Sequence, residues 1–271
     1  MTSITKVFQP REHEEKIQAH FGDLAIRPDA PPVAEAVTIM IFVNRSGSTF
    51  IGENLRATGS FSGFGEPLSH GIVLERARTH GLATFEDYLR WLLDNLRRPG
   101  TQFGMKASLD QVLMLLRAGA FPRLFPKVNW LTVHRRDVLS QAISFSIAQQ
   151  TQQWQSFEEG NGSEPVYDFK DILWHMDQIA ASYQHITSFC AASALDVFPL
   201  EYEAFLDDPL AHTRAAAAHC GVIVDSIDQS RLRLRKQASG LNARFREQFR
   251  RDYLGRLNIG PGAWGQSGRP A

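Results

Sequence analysis

Val37-Thr38-Ile39-Met40-Ile41-Phe42-Val43 runs apolar without alternation, and Asn44-Arg45-Ser46-Gly47-Ser48-Thr49-Phe50 follows it directly. An apolar run of this length, rich in β-branched side chains, suits a strand buried on both faces of a parallel sheet. Thr49 to Ala57 reads as a helix stopped by Gly59. The residues between are therefore a strand-to-helix turn. There the N–H groups of the first helical turn lack partners and the positive end of the dipole points outward. Such a turn binds anions. Gly47 permits tight curvature, Ser48 and Thr49 add hydroxyl donors, and Arg45 supplies a fixed charge. The alternative is a tight turn with a Ser or Thr cap. A Walker A loop is excluded, because that motif needs Gly-x-x-x-x-Gly-Lys-Ser/Thr, and here the first glycine is missing and the cation precedes the turn.

Outward from this turn the same alternation recurs. Gln102–Lys106, Asn129–Val133 and Val197–Tyr202 read as further strands. Phe85–Arg97, Leu109–Ala118, Val138–Trp154, Tyr167–Ala192 and Pro209–Cys220 read as helices. Strands alternating with helices predict an α/β fold with a central, mostly parallel sheet flanked by helices. Residues 1–36 are a polar lead-in ending in Pro28-Asp29-Ala30-Pro31-Pro32, and residues 37–271 form a single domain. Residues 155–167 are an acidic loop.

Two other stretches suit anions. His134-Arg135-Arg136-Asp137-Val138 joins a predicted strand to a predicted helix, and Ser144 follows Arg136 by eight residues, about two helical turns. Arg136 and Ser144 can grip a phosphate together; alternatively, Asp137 caps the helix and both arginines are solvated. The third stretch is Arg235-Lys236-Gln237-Ala238-Ser239-Gly240. It lies in a basic region, 231–256, with nine Arg or Lys against Glu247 and Asp252. Its alternative is a loop before an amphipathic helix carrying Leu241, Phe245 and Phe249.

Composition narrows the classes. Lys and Arg number 29, as do Asp and Glu, so the chain carries no net formal charge. That argues against a surface devoted to nucleic acid. Cys190 and Cys220 form no Cys-x-x-Cys motif and read as buried free thiols. No secretory signal is visible, and no apolar stretch approaches the ~20 residues of a membrane helix. The expectation is a soluble cytoplasmic protein without a metal site, since neither His-Glu-x-x-His nor a carboxylate cluster occurs.

The three anion stretches, in this order, resemble the 3′-phosphoadenylylsulfate (PAPS)-dependent sulfotransferases. That family's 5′-phosphosulfate loop is similar to Arg45-Ser46-Gly47-Ser48-Thr49-Phe50. Its 3′-phosphate-binding arginine and serine match Arg136 and Ser144, and its C-terminal loop resembles Arg235 to Gly240, with Gln237 replacing a glycine. Tyr202, in Leu200-Glu201-Tyr202-Glu203, matches a tyrosine near the adenine. A narrower resemblance is to the bacterial trehalose 2-sulfotransferases, through residues 45–59, Gly65-Glu66-Pro67, residues 135–144 and Gln150 to Trp154.

The resemblance implies the P-loop nucleotide-kinase-like sulfotransferase fold, a homodimer, and sulfuryl transfer from PAPS to a carbohydrate hydroxyl without a metal. Sulfuryl transfer is physically akin to phosphoryl transfer, so it relies on positioning and charge compensation. Arg45 and the Ser46–Thr49 amides are assigned to the 5′-phosphate and departing oxygen, with Arg136, Ser144 and Arg235 or Lys236 on the 3′-phosphate. Glu53 is the candidate general base, one helical turn beyond Thr49 on the same face; in the trehalose sulfotransferases the matching glutamate has that role. Glu66, His70 and Trp154 are candidate acceptor contacts, Trp154 by stacking on a sugar ring. The competing readings are a Mg-ATP small-molecule kinase and a non-catalytic glycan- or anion-binding module.

Overall fold

The computed structural model describes residues 9–154, 159–232 and 240–258. The chain falls into two compact units, one of Met1–Arg136 with Ala181–Arg233 and one of Asp137–Ala180 with Leu234–Ala271.

The first unit is built on the apolar run. β1 (Val37–Ile41) is buried at every position and pairs in parallel with β3 (Gln102–Ala107) on one side and β4 (Val128–His134) on the other. β2 (Phe61–Gly63) extends the sheet beyond β3, and β5 (Val197–Glu201) extends it beyond β4. The order β2-β3-β1-β4-β5 is parallel throughout. From β1 the chain moves toward β2, whereas from β4 it moves toward β5. The β1/β4 boundary is thus a topological switch point, with a crevice beyond the strands' carboxyl ends.

Helix α1 (Glu12–Phe21) lies in the polar lead-in, for which no element was expected. It is followed by α2 (Ser48–Ala57), α3 (His70–His80), α4 (Phe85–Leu96), α5 (Leu109–Arg117) and the short α6 (Ala120–Arg123). α4 opens with a Thr84–Asp87 capping box, and at the start of α5 the Gln111 side chain accepts from the Ser108 N–H at 2.9 Å. One core packs Met40, Phe42, Leu131, Val133 and Leu200 of the sheet side against Ile51 and Leu55 of α2, with Phe205, Ala216 and Ala217. Burying Ile51 or Leu55 contributes about 2 kcal/mol each. The latter three residues come from α9 (Tyr202–Asp207) and α10 (Pro209–His219). Cys220 is buried here, accepts from the Thr38 hydroxyl and is pushed up to about 11 by burial; Cys190 is only half-buried.

The second unit holds α7 (Val138–Thr151), the first half of α8 (Phe169–Ala192) and α11 (Gly240–Arg256). Phe245 and Phe249 are its buried α11 residues, as the amphipathic spacing predicts. Phe249 stacks on Phe169, and Phe245 meets Tyr167 edge-on. No helix among the described residues is long and apolar enough to cross a membrane.

Two outcomes follow for the first unit. Gly52 sits where an added Cβ would meet the Phe64 Cβ at 2.9 Å. Gly52→Ala gains about 1 kcal/mol of helix propensity but overpacks a buried contact at about 1–3 kcal/mol; urea unfolding should show a net loss. Glu86 of α4 is held down to about 2 by hydrogen bonds from the Arg27 side chain, with Arg27 N–H and Arg90 adding to it against the opposing effect of burial. Its stabilisation is complete above the ordinary 4.5 and is lost as pH falls toward about 2. Glu86→Gln should remove that acid-sensitive component from stability measured against pH.

Candidate active site

The turn after β1 is shaped by two left-handed residues, Arg45 at φ 64° and Gly47 at φ 90°. Gly47 precedes α2 and supplies no capping side chain, which removes the capped-turn alternative at that position. A Cβ on Gly47 would lie 2.1 Å from Cδ2 of Tyr202, so only glycine admits the tyrosine ring here. Ser46 is fully buried, and its Oγ has no hydrogen-bond partner among the described residues.

The ends of three parallel strands meet at this turn. Arg135, just past β4, donates from its guanidinium to the Arg45 carbonyl at 3.2 Å. The same guanidinium sits over the Tyr202 ring, 5.1 Å from its centroid. Tyr202 comes directly after β5, where it begins α9 rather than ending the strand. Strand ends β1, β4 and β5 are thereby tied together through Arg45, Gly47, Arg135 and Tyr202.

Arg136 follows a different course. Its side chain is 67% exposed and pairs with Glu201 at 2.8 Å, while its backbone N–H donates to Glu203 at 3.0 Å. In the second unit Asp137 caps α7 by accepting from Ser140 N–H at 3.0 Å, and Arg246 of α11 holds Asp137 at 3.0 Å. Ser144 is half-buried on α7, and Trp154 meets Phe145 edge-on. Arg235 and Lys236 lie outside the described residues.

The strand β3 supplies a residue that the sequence reading passed over. Lys106 has a side chain only 3% exposed. Its ammonium donates to the Thr49 hydroxyl at 2.7 Å and to the Glu66 carboxylate at 2.8 Å. It also lies 5.3 Å from the centroid of the Phe42 ring. Its backbone N–H donates to the Gly65 carbonyl at 2.8 Å, so the segment carrying Glu66 is fastened to β3 from both sides of the chain. A buried ammonium requires such partners. Lys106 thus joins the phosphate-type turn to Glu66. A signal was available: a lysine inside a strand flanked by buried strands needs a specific counter-charge.

Glu53 is 2% exposed on α2 and pairs with Arg56 at 3.5 Å. Phe50, assigned to the anion turn, packs edge-on against Phe205. His70 begins α3 and contacts His13 of α1 rather than Glu66 or Lys106. Among the described residues, no three His, Cys, Asp or Glu side chains are grouped so as to hold a metal ion.

The first unit therefore brings Arg45, Ser46, Gly47, Tyr202 and Arg135 together, and joins Thr49 to Glu66 through Lys106. The Stf0 sulphotransferase family model matches residues 38–252. Among solved structures, the chain is similar to a sulfotransferase from Alicyclobacillus acidocaldarius, with 14% identity and a TM-score of 0.47 over 85% of this chain and 99% of that one. It is also similar to sulfotransferase STF1 from Mycobacterium tuberculosis, with 13% identity and a TM-score of 0.44 over 89% of this chain and 82% of the other. No match was found among the curated proteins. Because the family match begins in β1 and runs through all the strand ends that build this site, the chain belongs to the Stf0 sulphotransferase family, and its activity is sulfuryl transfer.

Proposed function

We propose that this enzyme takes the sulfuryl group from PAPS and passes it to a carbohydrate hydroxyl. The observation that carries the reading is the buried Lys106, fixed between Thr49 at the start of α2 and Glu66 in the following segment. A cation in that position, beside the open N-terminus of a helix, suits a place where negative charge develops.

The residues present fit the nucleotide donor. The Ser46 hydroxyl is buried with no partner among the described residues, and Gly47, ahead of α2, supplies no capping side chain. When bound, PAPS supplies an activated sulfuryl group and a phosphate leaving group. Arg45 and the amides of Ser46–Thr49 would hold the 5′-phosphate. By the family resemblance, Arg136, Ser144 and Arg235 or Lys236 are assigned to the 3′-phosphate and Tyr202 to the adenine. Lys106 would balance charge at the transfer end.

An acceptor hydroxyl must lose its proton, and Glu53, one turn beyond Thr49 and buried on α2, would take it. Glu66 and Trp154 are proposed acceptor contacts. The resemblance also supports a homodimer.

The test is labelled-sulfate transfer from PAPS into a panel of sugars and glycolipids, with binding of the product nucleotide PAP measured separately. Glu53→Gln should keep PAP affinity within about twofold and lower kcat by roughly 10²–10⁴-fold. Stabilisation by ATP–Mg²⁺ but not by PAP would favour the kinase reading instead. PAP binding without transfer to any sugar would favour a binding module. Lys106→Ala should lower kcat by about 10²–10³-fold, with Lys106→Arg recovering part of the loss; an unchanged rate would remove Lys106 from the charge-balancing role.

A further inference from the structure

Helix α1 precedes the family-matched stretch, yet it is fastened to the segment that carries Glu66. Ile17 is fully buried, and Glu14, itself buried, pairs with Arg117 of α5. These contacts dock the helix independently of its histidine. On the side facing α3, Nδ1 of His13 lies 3.1 Å from the backbone N of His70 and 2.9 Å from Nδ1 of His70. Nε2 of His70 lies 3.3 Å from the Lys16 ammonium.

One arrangement of protons satisfies all three contacts. A lysine ammonium only donates, so His70 accepts at Nε2 and carries its proton on Nδ1. That N–H donates to His13 Nδ1, which also accepts the His70 backbone N–H. His13 must then be neutral, with its own proton on Nε2. His70 in turn terminates a tight turn in which Ser69 N–H donates to the Glu66 carbonyl, and Pro67 O accepts from the buried Tyr88 hydroxyl. His13 is thereby linked to Lys106 and Thr49 through alternating hydrogen bonds and the covalent chain of residues 66–70.

We propose that His13 is a positioning residue for the acceptor: by accepting both His70 donors it fixes the Glu66–His70 turn, and protonation of His13 in mild acid releases that turn and weakens acceptor binding. The proposal rests on the sulfuryl-transfer reading, through the place of Glu66 beside the acceptor. A proton added at Nδ1 would face two N–H donors and have nothing to bind. The charged and titratable groups around His13 are Glu12 and Lys16 on its own helix, His70 on α3, Asp110 on α5, and Glu66. Burial, followed by His70, holds His13 below the ordinary 6.5, against the opposing pull of Asp110, Glu12 and Glu66. The docked turn is thus favoured above 6.5 and loses stability as pH falls below it toward the lowered folded value.

Two variants separate this role from a merely structural one. His13→Asn keeps an acceptor oxygen at the Nδ1 position but does not titrate; His13→Leu removes the acceptor. With wild-type enzyme and its sugar acceptor, the acceptor KM should rise at least fivefold between pH 7.5 and 5.5. His13→Asn should hold KM near its neutral value at both. His13→Leu should raise KM at least fivefold already at pH 7.5, with kcat and PAP affinity within twofold of wild type. Hydrogen exchange of the His70 amide, corrected for the intrinsic pH effect, supplies a readout that needs no acceptor. Protection should be lost in acid for wild type, be absent in His13→Leu, and be independent of pH in His13→Asn. If no sugar is sulfated but exchange follows this pattern, the turn device stands and the acceptor role falls with the reading it depends on. If transfer is measured and His13→Leu leaves KM and exchange unchanged, or His13→Asn tracks wild type in acid, the proposal is overturned.

Discussion

The tyrosine ring that occupies the space of an absent side chain at Gly47 is the contact on which the rest of the site depends. It lets β5 deliver Tyr202 against the turn after β1, and it brings the Arg135 guanidinium over that ring and onto the Arg45 carbonyl. Two residues adopt left-handed backbone within this turn, one of them an arginine. Such conformations cost of order 1–3 kcal/mol for a residue other than glycine and persist only when the surroundings enforce them. Here the enforcement comes from three strand ends at once, which is why the turn can present its backbone without a cap.

The neutral total charge hides a local arrangement of paired ions. Arg136 is engaged by Glu201 and Glu203, Lys106 by Glu66, and Arg246 of the second unit by Asp137. An incoming anion must compete with a carboxylate at the first two. A ligand with several negative charges can offset that competition, whereas a single chloride or carboxylate gains little. The exposed Arg136–Glu201 pair contributes little to stability by itself; Lys106, desolvated on the sheet, cannot lose its partner cheaply.

Much of the parallel sheet was legible because its evidence is local. The run from Val37 to Val43 and the onset of α2 at Ser48 are both visible in residue type and order. What escaped depends on distant partners. α1 has few apolar residues, and its docking uses the Glu14–Arg117 pair, more than a hundred positions apart. β2 spans only Phe61–Gly63, too short for any periodicity, and is defined by its neighbour β3. Of the adjacent arginines, spacing drew attention to Arg136, while Arg135 is the one that reaches the Arg45 carbonyl and the Tyr202 ring; the dipeptide alone does not decide which side chain turns inward. Tyr202 stood out in the sequence as a strand end and not as the start of α9.

Lys106 has a consequence for how the strands find their alignment. It stands opposite Met40, on the sheet face where Thr49 and Glu66 wait for it, whereas its neighbours Met105 and Ala107 stand opposite Ile39 and Ile41. Slipping β3 by a single position would turn the ammonium toward those isoleucines, with no anion to meet it. An unpaired charge there is far costlier than any misfitted methyl group. The lysine therefore acts as a key in the sheet, admitting one alignment of β1 and β3 and penalising the shifted one during assembly.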